Sequence, residues 1–219
     1  MVGGDSRLGK AVKVFSWGMP TLTLIRHGQS IWNLQNRFTG WVDVPLSEQG
    51  EREAADAAGK IGDIHYDVAY TSSLRRAQST LAIILAVRGW NTPIIRDQAL
   101  NERMYGDLQG LDKDETRRIH GDEQVKIWRR SFDVAPPNGE SLKDTAARTL
   151  PFFDRCIMGD IRKGSNVLVV AHGNSNRSIV MKLDELTGEQ VMGVELATGV
   201  PVIYELDTSG KVLSKRIAE

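Results

Sequence analysis

Apolar and polar positions follow two rhythms along this chain, and the switches between them divide it into short strands and longer helices. Five apolar runs predict strands over Leu22–Arg26, Asp67–Thr71, Thr92–Arg96, Asn166–Ala171 and Val202–Leu206. Between most of them the spacing becomes helical. After Ser47, placed as an N-cap, "EQGEREAADAAGK" is rich in helix formers and acidic in its first turn. In "SLRRAQSTLAIILAV" the residues Leu74, Ala77, Leu81, Ile84 and Leu85 trace one helical face. "ESLKDTAARTLPFFDRCI" opens with Ser141 and Asp144 at capping-box spacing, and Pro151 predicts a kink within it. "SNRSIVMKLDEL" follows the fourth strand directly. Asn174 or Ser175 is its expected cap.

Strands alternating with helices predict an α/β fold whose sheet is covered on both faces. The segment from Asn101 to Gly139 breaks the alternation, being polar, charged and without strand pattern, and it contains the loop punctuation "VAPPNGES". With no internal repeat, low-complexity tract or linker, the simplest organisation is one domain over residues 19–219 with a large irregular insertion. Residues 1–18 carry no strand or amphipathic pattern and read as a flexible N-terminal extension.

Composition narrows the function classes. Twenty-eight basic residues balance twenty-eight acidic ones, so no global field recruits nucleic acid or a membrane surface. Any anion site must be local. No stretch approaches the roughly 18 to 20 apolar residues of a membrane span. The one cysteine, Cys156, cannot form an intramolecular disulfide, which fits a reducing, cytoplasmic compartment. Its neighbours Arg155, Ile157 and Met158 predict a buried helical thiol rather than a nucleophile.

Two stretches repeat one device. "LTLIRHGQS" and "VLVVAHGNS" each run from an apolar strand into His-Gly and then into polar residues. In an open parallel sheet, ligands bind at the carboxyl ends of strands, so His27 and His172 share a crevice if their strands are neighbours. Gly28 and Gly173 allow close backbone approach, and a helix opening at Asn174 or Ser175 would turn free N–H groups towards an anion. A metal site fits poorly: Arg26 beside His27 would repel a divalent cation, and no carboxylate-rich ligand spacing is present. Around a phosphoryl group the same residues make sense, since guanidinium forks bind its oxygens and a neutral imidazole can attack phosphorus. Arg75 and Arg76 lie off the apolar face of their helix, so one of them can enter the crevice. The insertion adds Glu102, Arg103, Tyr105, Lys113, Arg129 and Arg130, a basic lid with one conspicuous acid.

In this order, "RHGQSIWN", "RFTGWVDVPLS", "YTSSLRRAQST", "LNERMYGDLQGLDK", "WRRSFDVAPP", "GESL" and "AHGNS" resemble the cofactor-dependent phosphoglycerate mutases of the histidine phosphatase superfamily, from about Thr21 to Leu206. The resemblance implies a three-layer α/β/α sandwich with a mostly parallel central sheet. It implies that His27 is the phosphorylated nucleophile, Glu102 the general acid and base, and His172 a donor to the phosphoryl group. Arg26, Arg76 and Asn33 then match the phosphoryl clamp, with the backbone of Gly173 and Asn174 nearby. Thr39, Gly40, Arg103, Tyr105, Lys113, Arg129 and Arg130 match positions that hold the rest of the substrate. The implied reaction interconverts 3-phosphoglycerate and 2-phosphoglycerate, primed by 2,3-bisphosphoglycerate and without metal. The implied partner is a phosphorylated small molecule, with a homodimer compatible with the family and no nucleic acid or membrane involved. Glu102 can serve as acid only if burial keeps its proton available near neutrality.

The chain departs from the larger mutases in lacking a long segment between "DVAPP" and "NGESL" and an extended tail after the last strand. Met104 stands where histidine is frequent, Asn176 where leucine is, and Ile31 where a polar residue is usual. A phosphatase of the same superfamily is the nearest rival; Glu102 with Lys113, Arg129 and Arg130 argues against it. A catalytically dead scaffold would have lost one of His27, Arg26, Arg76, Glu102 or His172, and all five are present.

Overall fold

Residues 19–218 are described by a computed structural model; the extension expected at residues 1–18 lies outside them. Strands β1 (Thr21–Arg26), β2 (Val68–Thr71), β3 (Ile94–Arg96), β4 (Val167–Ala171) and β5 (Pro201–Leu206) fall within or close to the five apolar runs. A sixth, β6 (Val212–Ile217), was not expected. It is an edge strand with only Val212 partly buried, so no apolar run marks it.

The sheet order is β3-β2-β4-β1-β5-β6. Pairings among the first four strands are parallel, whereas β5 runs antiparallel to β1 and β6 antiparallel to β5. β4 is buried along its whole length, as a central strand covered on two faces requires. One face is built from Leu22, Leu24, Val167 and Val169, and the other from Ile25, Leu168 and Val170.

Helices α1 (Ile31–Leu34), α2 (Glu48–Lys60), α3 (Arg75–Arg88), α4 (Lys113–His120), α5 (Asp122–Arg130), α6 (Leu142–Phe152), α7 (Met158–Ile161), α8 (Gly173–Leu183) and α9 (Gly188–Val191) complete the fold. Ala57, Ala58 and Ile61 at the end of α2 join Leu81, Ile84 and Leu85 of α3 against one face of the sheet. Phe152, Met158, Ile161, Ile179 and Val180 from α6, α7 and α8 cover the other. The result is a sheet covered on both faces, as the alternation predicted, and the three-layer sandwich that the family resemblance implied.

Three local expectations change, and the region of the kink expected at Pro151 takes a specific form. The insertion is partly helical, not irregular: the Asp112 carboxylate caps α4 by accepting from the N–H groups of Asp114 and Glu115, both at 2.9 Å. Helices α4 and α5 bury only Thr116 and Val125, which is why their apolar signal is so faint. Pro151 sits inside α6 without ending it, and the helix widens just beyond it into a π turn over Phe153–Ile157. Cys156 lies on that turn and is half-buried against the core rather than enclosed. Finally, neither Asn174 nor Ser175 is the N-cap of α8; His172 is, and the Ser175 hydroxyl accepts its N–H at 3.2 Å.

Candidate active site

The central pair of strands decides where the chemistry gathers. β1 and β4 run side by side with Arg26 level with Ala171, so the next residues, His27 and His172, leave the sheet together. Their rings meet edge to face with centroids 4.9 Å apart, and both are buried. Close approach of α2 holds the first turn: a Cβ on Gly28 would stand 2.1 Å from the carbonyl oxygen of Gly50, so only glycine fits. Gly173 carries no such demand, because a Cβ there would make ordinary contacts at 3.6 Å with Arg26 and Glu102.

His27 has the protonation state that a nucleophile requires. Burial, then the charges of Arg76 and Arg26, hold its pKa well below the ordinary value of 6.5, so the ring is neutral. Nδ1 lies 2.6 Å from the Gly28 carbonyl oxygen, which can only accept, so Nδ1 carries the proton. Nε2 therefore keeps a lone pair, towards which Arg76 Nε donates at 3.3 Å. The Arg76 guanidinium is anchored by donating to the carbonyls of Gly40 at 2.7 Å and Val42 at 3.0 Å. Burial lowers its pKa only to about 10, leaving it cationic at neutral pH. Arg75, its neighbour, turns outward to Asp43.

Glu102 is enclosed by donors. Its carboxylate accepts from the N–H groups of Arg103 at 2.8 Å, Gly173 at 3.2 Å and Asn174 at 3.1 Å, and from the Asn174 side chain at 2.8 Å. Burial pushes the pKa up, but those donors and the charges of Arg26 and Arg76 outweigh it, and the group sits below its ordinary value. The condition that burial keep Glu102 protonated near neutrality is thus not met in the free protein. Its loop is held by Arg148, which donates to the carbonyls of Ala99, Asn101 and Glu102 and pairs with Glu140 at 2.9 Å. Trp41 Nε1 donates to the Glu102 carbonyl as well.

Arg26, His27, Asn33, Thr39, Gly40, Arg76, Glu102, Tyr105, Lys113 and Arg129 all line one crevice. Asn33 accepts the Ser30 N–H through Oδ1, leaving its amide hydrogens for the crevice. Lys113 has a lowered pKa, from burial first and then from Arg129 nearby. His172, Gly173 and Asn174 stand behind this lining, joined to it through His27 and Glu102. Two expected residues point elsewhere. Arg103 is buried and braces the lid, donating to the Tyr105 hydroxyl at 3.1 Å and to the Arg129 carbonyl at 2.8 Å. Arg130 pairs with Glu195 at 2.7 Å, which also faces Arg177 at 3.6 Å.

Arg37 also lines the crevice although no reading of the sequence singled it out; "NRFTGW" held it in plain view beside Thr39 and Gly40. Arg26, Arg37, Arg76, Lys113 and Arg129 face a single carboxylate, that of Glu102. Buried Arg26 Nε, Thr39 Oγ1 and His172 Nδ1 have no hydrogen-bond partner among the described residues. A crevice of this charge with unspent polar atoms fits a ligand bearing several anionic groups.

Comparison with known proteins agrees with that chemistry. The histidine phosphatase superfamily (branch 1) profile matches residues 22–217. A 2,3-bisphosphoglycerate-dependent phosphoglycerate mutase of Mesorhizobium japonicum is 54% identical over 202 residues, covering 91% of this chain and 98% of the relative. A phosphoglycerate mutase of Schizosaccharomyces pombe is 53% identical, covering 90% and 95%. Among solved structures, Mycobacterial hydrolase 1 superposes with a TM-score of 0.78 at 26% identity, covering 90% of this chain and 96% of that one. A mycobacterial glucosyl-3-phosphoglycerate phosphatase complexed with VO3 gives 0.77 at 26% identity with the same coverage. This chain, with its paired histidines at the ends of adjacent parallel strands, belongs to the histidine phosphatase superfamily.

Proposed function

We propose that this protein interconverts 3-phosphoglycerate and 2-phosphoglycerate through a phosphohistidine at His27, as a 2,3-bisphosphoglycerate-dependent mutase. The observation that carries the reading is the neutral His27 with Nε2 unprotonated in a crevice of five cations and one carboxylate. Mutase relatives more than 50% identical over nine-tenths of the chain support isomerisation over simple hydrolysis.

In-line phosphoryl transfer requires placement and neutralised charge more than covalent complexity. Arg26 and Arg76 flank His27 and hold the equatorial oxygens of the moving group, with Asn33 beside them. His172 donates a hydrogen bond to the same group. Thr39, Gly40, Tyr105, Lys113 and Arg129 hold the remainder of the substrate, and Arg103 and Arg130 act from the lid. Bound 2,3-bisphosphoglycerate supplies the phosphoryl group that charges His27, and the unspent donors and the cations of the crevice suit its several negative charges.

The ionised state of Glu102 suits the half-reaction that starts from charged enzyme. A substrate hydroxyl oxygen attacks phosphorus, the P–Nε2 bond of His27 breaks, and the Glu102 carboxylate takes the hydroxyl proton. In the reverse half-reaction Nε2 attacks phosphorus, the P–O bond breaks, and Glu102 returns that proton to the departing oxygen. Within the mutase cycle that proton originates on the substrate; charging unphosphorylated enzyme from 2,3-bisphosphoglycerate instead requires Glu102 to take one proton from solvent before the P–O bond breaks.

This reading places the protein in the cytoplasm, where glycolytic intermediates are found, and treats residues 19–219 as one catalytic domain. It extends to a homodimer, for which the edge strand β3 offers exposed Ile94 and Ile95; sedimentation of the purified protein checks this. The central test is an assay coupled to 2-phosphoglycerate formation, with and without 2,3-bisphosphoglycerate and with EDTA, reading inorganic phosphate in parallel. Isomerisation that needs the primer and ignores EDTA is expected. Phosphate release without isomerisation would make the protein a phosphatase instead.

A further inference from the structure

Ser72 follows β2 directly, and the register of β2 on β4, with Thr71 opposite Val170, brings it beside the end of β4. It is fully buried. Its hydroxyl has one proton to give and accepts the backbone N–H of Leu74 at 3.1 Å. The other partner of Oγ is His172 Nε2, at 2.7 Å. No further acceptor lies within reach of this hydroxyl among the described residues.

Only one arrangement satisfies the serine hydroxyl both as donor and as acceptor. If His172 carried its proton on Nε2, that N–H would donate to Ser72 and the buried serine proton would have no acceptor. Nδ1, which has no partner of hydrogen-bond geometry among the described residues although the Ser175 N–H turns towards the ring, would then be a bare lone pair badly suited to an anion. If Ser72 donates to Nε2 instead, the hydroxyl is satisfied as donor and acceptor, and the ring proton lies on Nδ1. A buried hydroxyl proton left unpaired costs enough to select between tautomers. Nδ1–H is then a donor awaiting a ligand.

We infer that Ser72 is a positioning residue that fixes His172 as the Nδ1–H tautomer, making it a neutral donor to the phosphoryl group transferred at His27. The consequence for transfer rests on the mutase reading above; the tautomer does not. Arg76, Arg26, Arg148 and His27 all face His172 with positive or potentially positive charge, and burial comes first in keeping it uncharged. A neutral ring can direct only one N–H at the ligand, so what lies on the far nitrogen decides whether it donates at all.

Long-range nitrogen–proton NMR of the full-length protein tests this, with the His172 signals assigned from a His172→Gln variant. Above neutral pH the parent should show Nδ1 protonated and Nε2 bare, and Ser72→Ala should show a mixed or inverted tautomer. Phosphorylation of His27 by labelled 2,3-bisphosphoglycerate should slow about 10- to 100-fold in Ser72→Ala, short of the full loss of a transition-state donor. KM for 3-phosphoglycerate should move less than twofold. A parent in the Nε2–H form overturns the inference, even if Ser72→Ala does not fold. So does a folded Ser72→Ala with unchanged tautomer or unchanged phosphorylation rate. Absent isomerisation with the expected tautomer would count against the mutase reading alone.

Discussion

Asn174 holds Glu102 twice, through its backbone N–H at 3.1 Å and its side-chain amide at 2.8 Å, both to the same carboxylate oxygen. With the Gly173 N–H on the other oxygen, a carboxylate occupies the first free amides of α8, where the helix dipole favours negative charge. The proposed general base is thereby tied to the element that also presents His172. In the proposed mechanism, binding, proton transfer and phosphoryl transfer share one helix terminus.

Glu102→Gln should therefore separate chemistry from binding. The amide keeps the shape but cannot exchange a proton with the substrate hydroxyl. Turnover should fall about 10²- to 10⁴-fold, the usual worth of general acid–base help, with little change in 3-phosphoglycerate binding by calorimetry. Asn174→Ala removes a donor to the ionised form, so the Glu102 pKa rises and the acid limb of kcat/KM moves to higher pH. An unchanged acid limb in Asn174→Ala would assign that limb to another group.

Arg129 and Arg130 should behave differently despite adjacency. Arg129 lines the crevice, whereas Arg130 is paired with Glu195, whose side chain is 67% exposed. Removing a charge-assisted contact costs about 1.5–3 kcal/mol, so Arg129→Ala should weaken 3-phosphoglycerate binding about 10- to 150-fold. An exposed ion pair is worth about 0–1 kcal/mol, so a ligand can draw Arg130 away from Glu195 at small cost. Glu195→Gln should then tighten binding severalfold, and Arg130→Ala should weaken it less than Arg129→Ala does. Weaker binding in Glu195→Gln would mean that Glu195 positions Arg130 rather than competing for it.

Arg148 gives a test of support rather than contact. It spans three carbonyls of the Glu102 loop and pairs with Glu140, with both side chains about one-fifth exposed. Arg148→Ala strands those carbonyls and leaves Glu140 half-buried without its cation. We expect a lower thermal midpoint together with reduced turnover, both visible in melts and saturated assays of one preparation. Full turnover with an unshifted melt would show the loop to be held by Trp41 and the α8 donors alone.

The strands were legible because β1, β2, β4 and β5 are buried, and burial writes itself as apolar runs. β6 is an exposed edge, and α4 and α5 bury one side chain each, so the same signal had nothing to report. His27 and His172 announced themselves through a repeated device, but their meeting depends on β1 pairing with β4 across most of the chain. Ser72 and Arg148 act through a ring nitrogen and backbone carbonyls, contacts that leave no pattern of their own. The direction of the Glu102 pKa could not be read from the sequence, because one of the donors that lowers it, the Asn174 side chain, arrives from about seventy residues away.

The histidine pair makes acid stability the last prediction. Burial is the first cause holding both rings well below 6.5, with Arg76 next for each. In the unfolded chain each would take up a proton as the pH falls through about 6.5, while in the folded chain each stays neutral. The unfolded state then binds more protons, so stability is full above that pH and declines as the pH drops below it. The slope is at most about 1.4 kcal/mol per pH unit for each ring. Glu102, with its lowered pKa, adds stability that is present above 4.5 and lost below it, steepening the fall. Urea unfolding at pH 7.5, 6.0 and 5.0 should show this decline in the parent. A His27→Gln, His172→Gln double variant, if it folds, should lose most of the slope between pH 6.5 and 5. Should the variant keep the parent's slope, the rings are charged in the folded protein, and a neutral His27 nucleophile is no longer tenable.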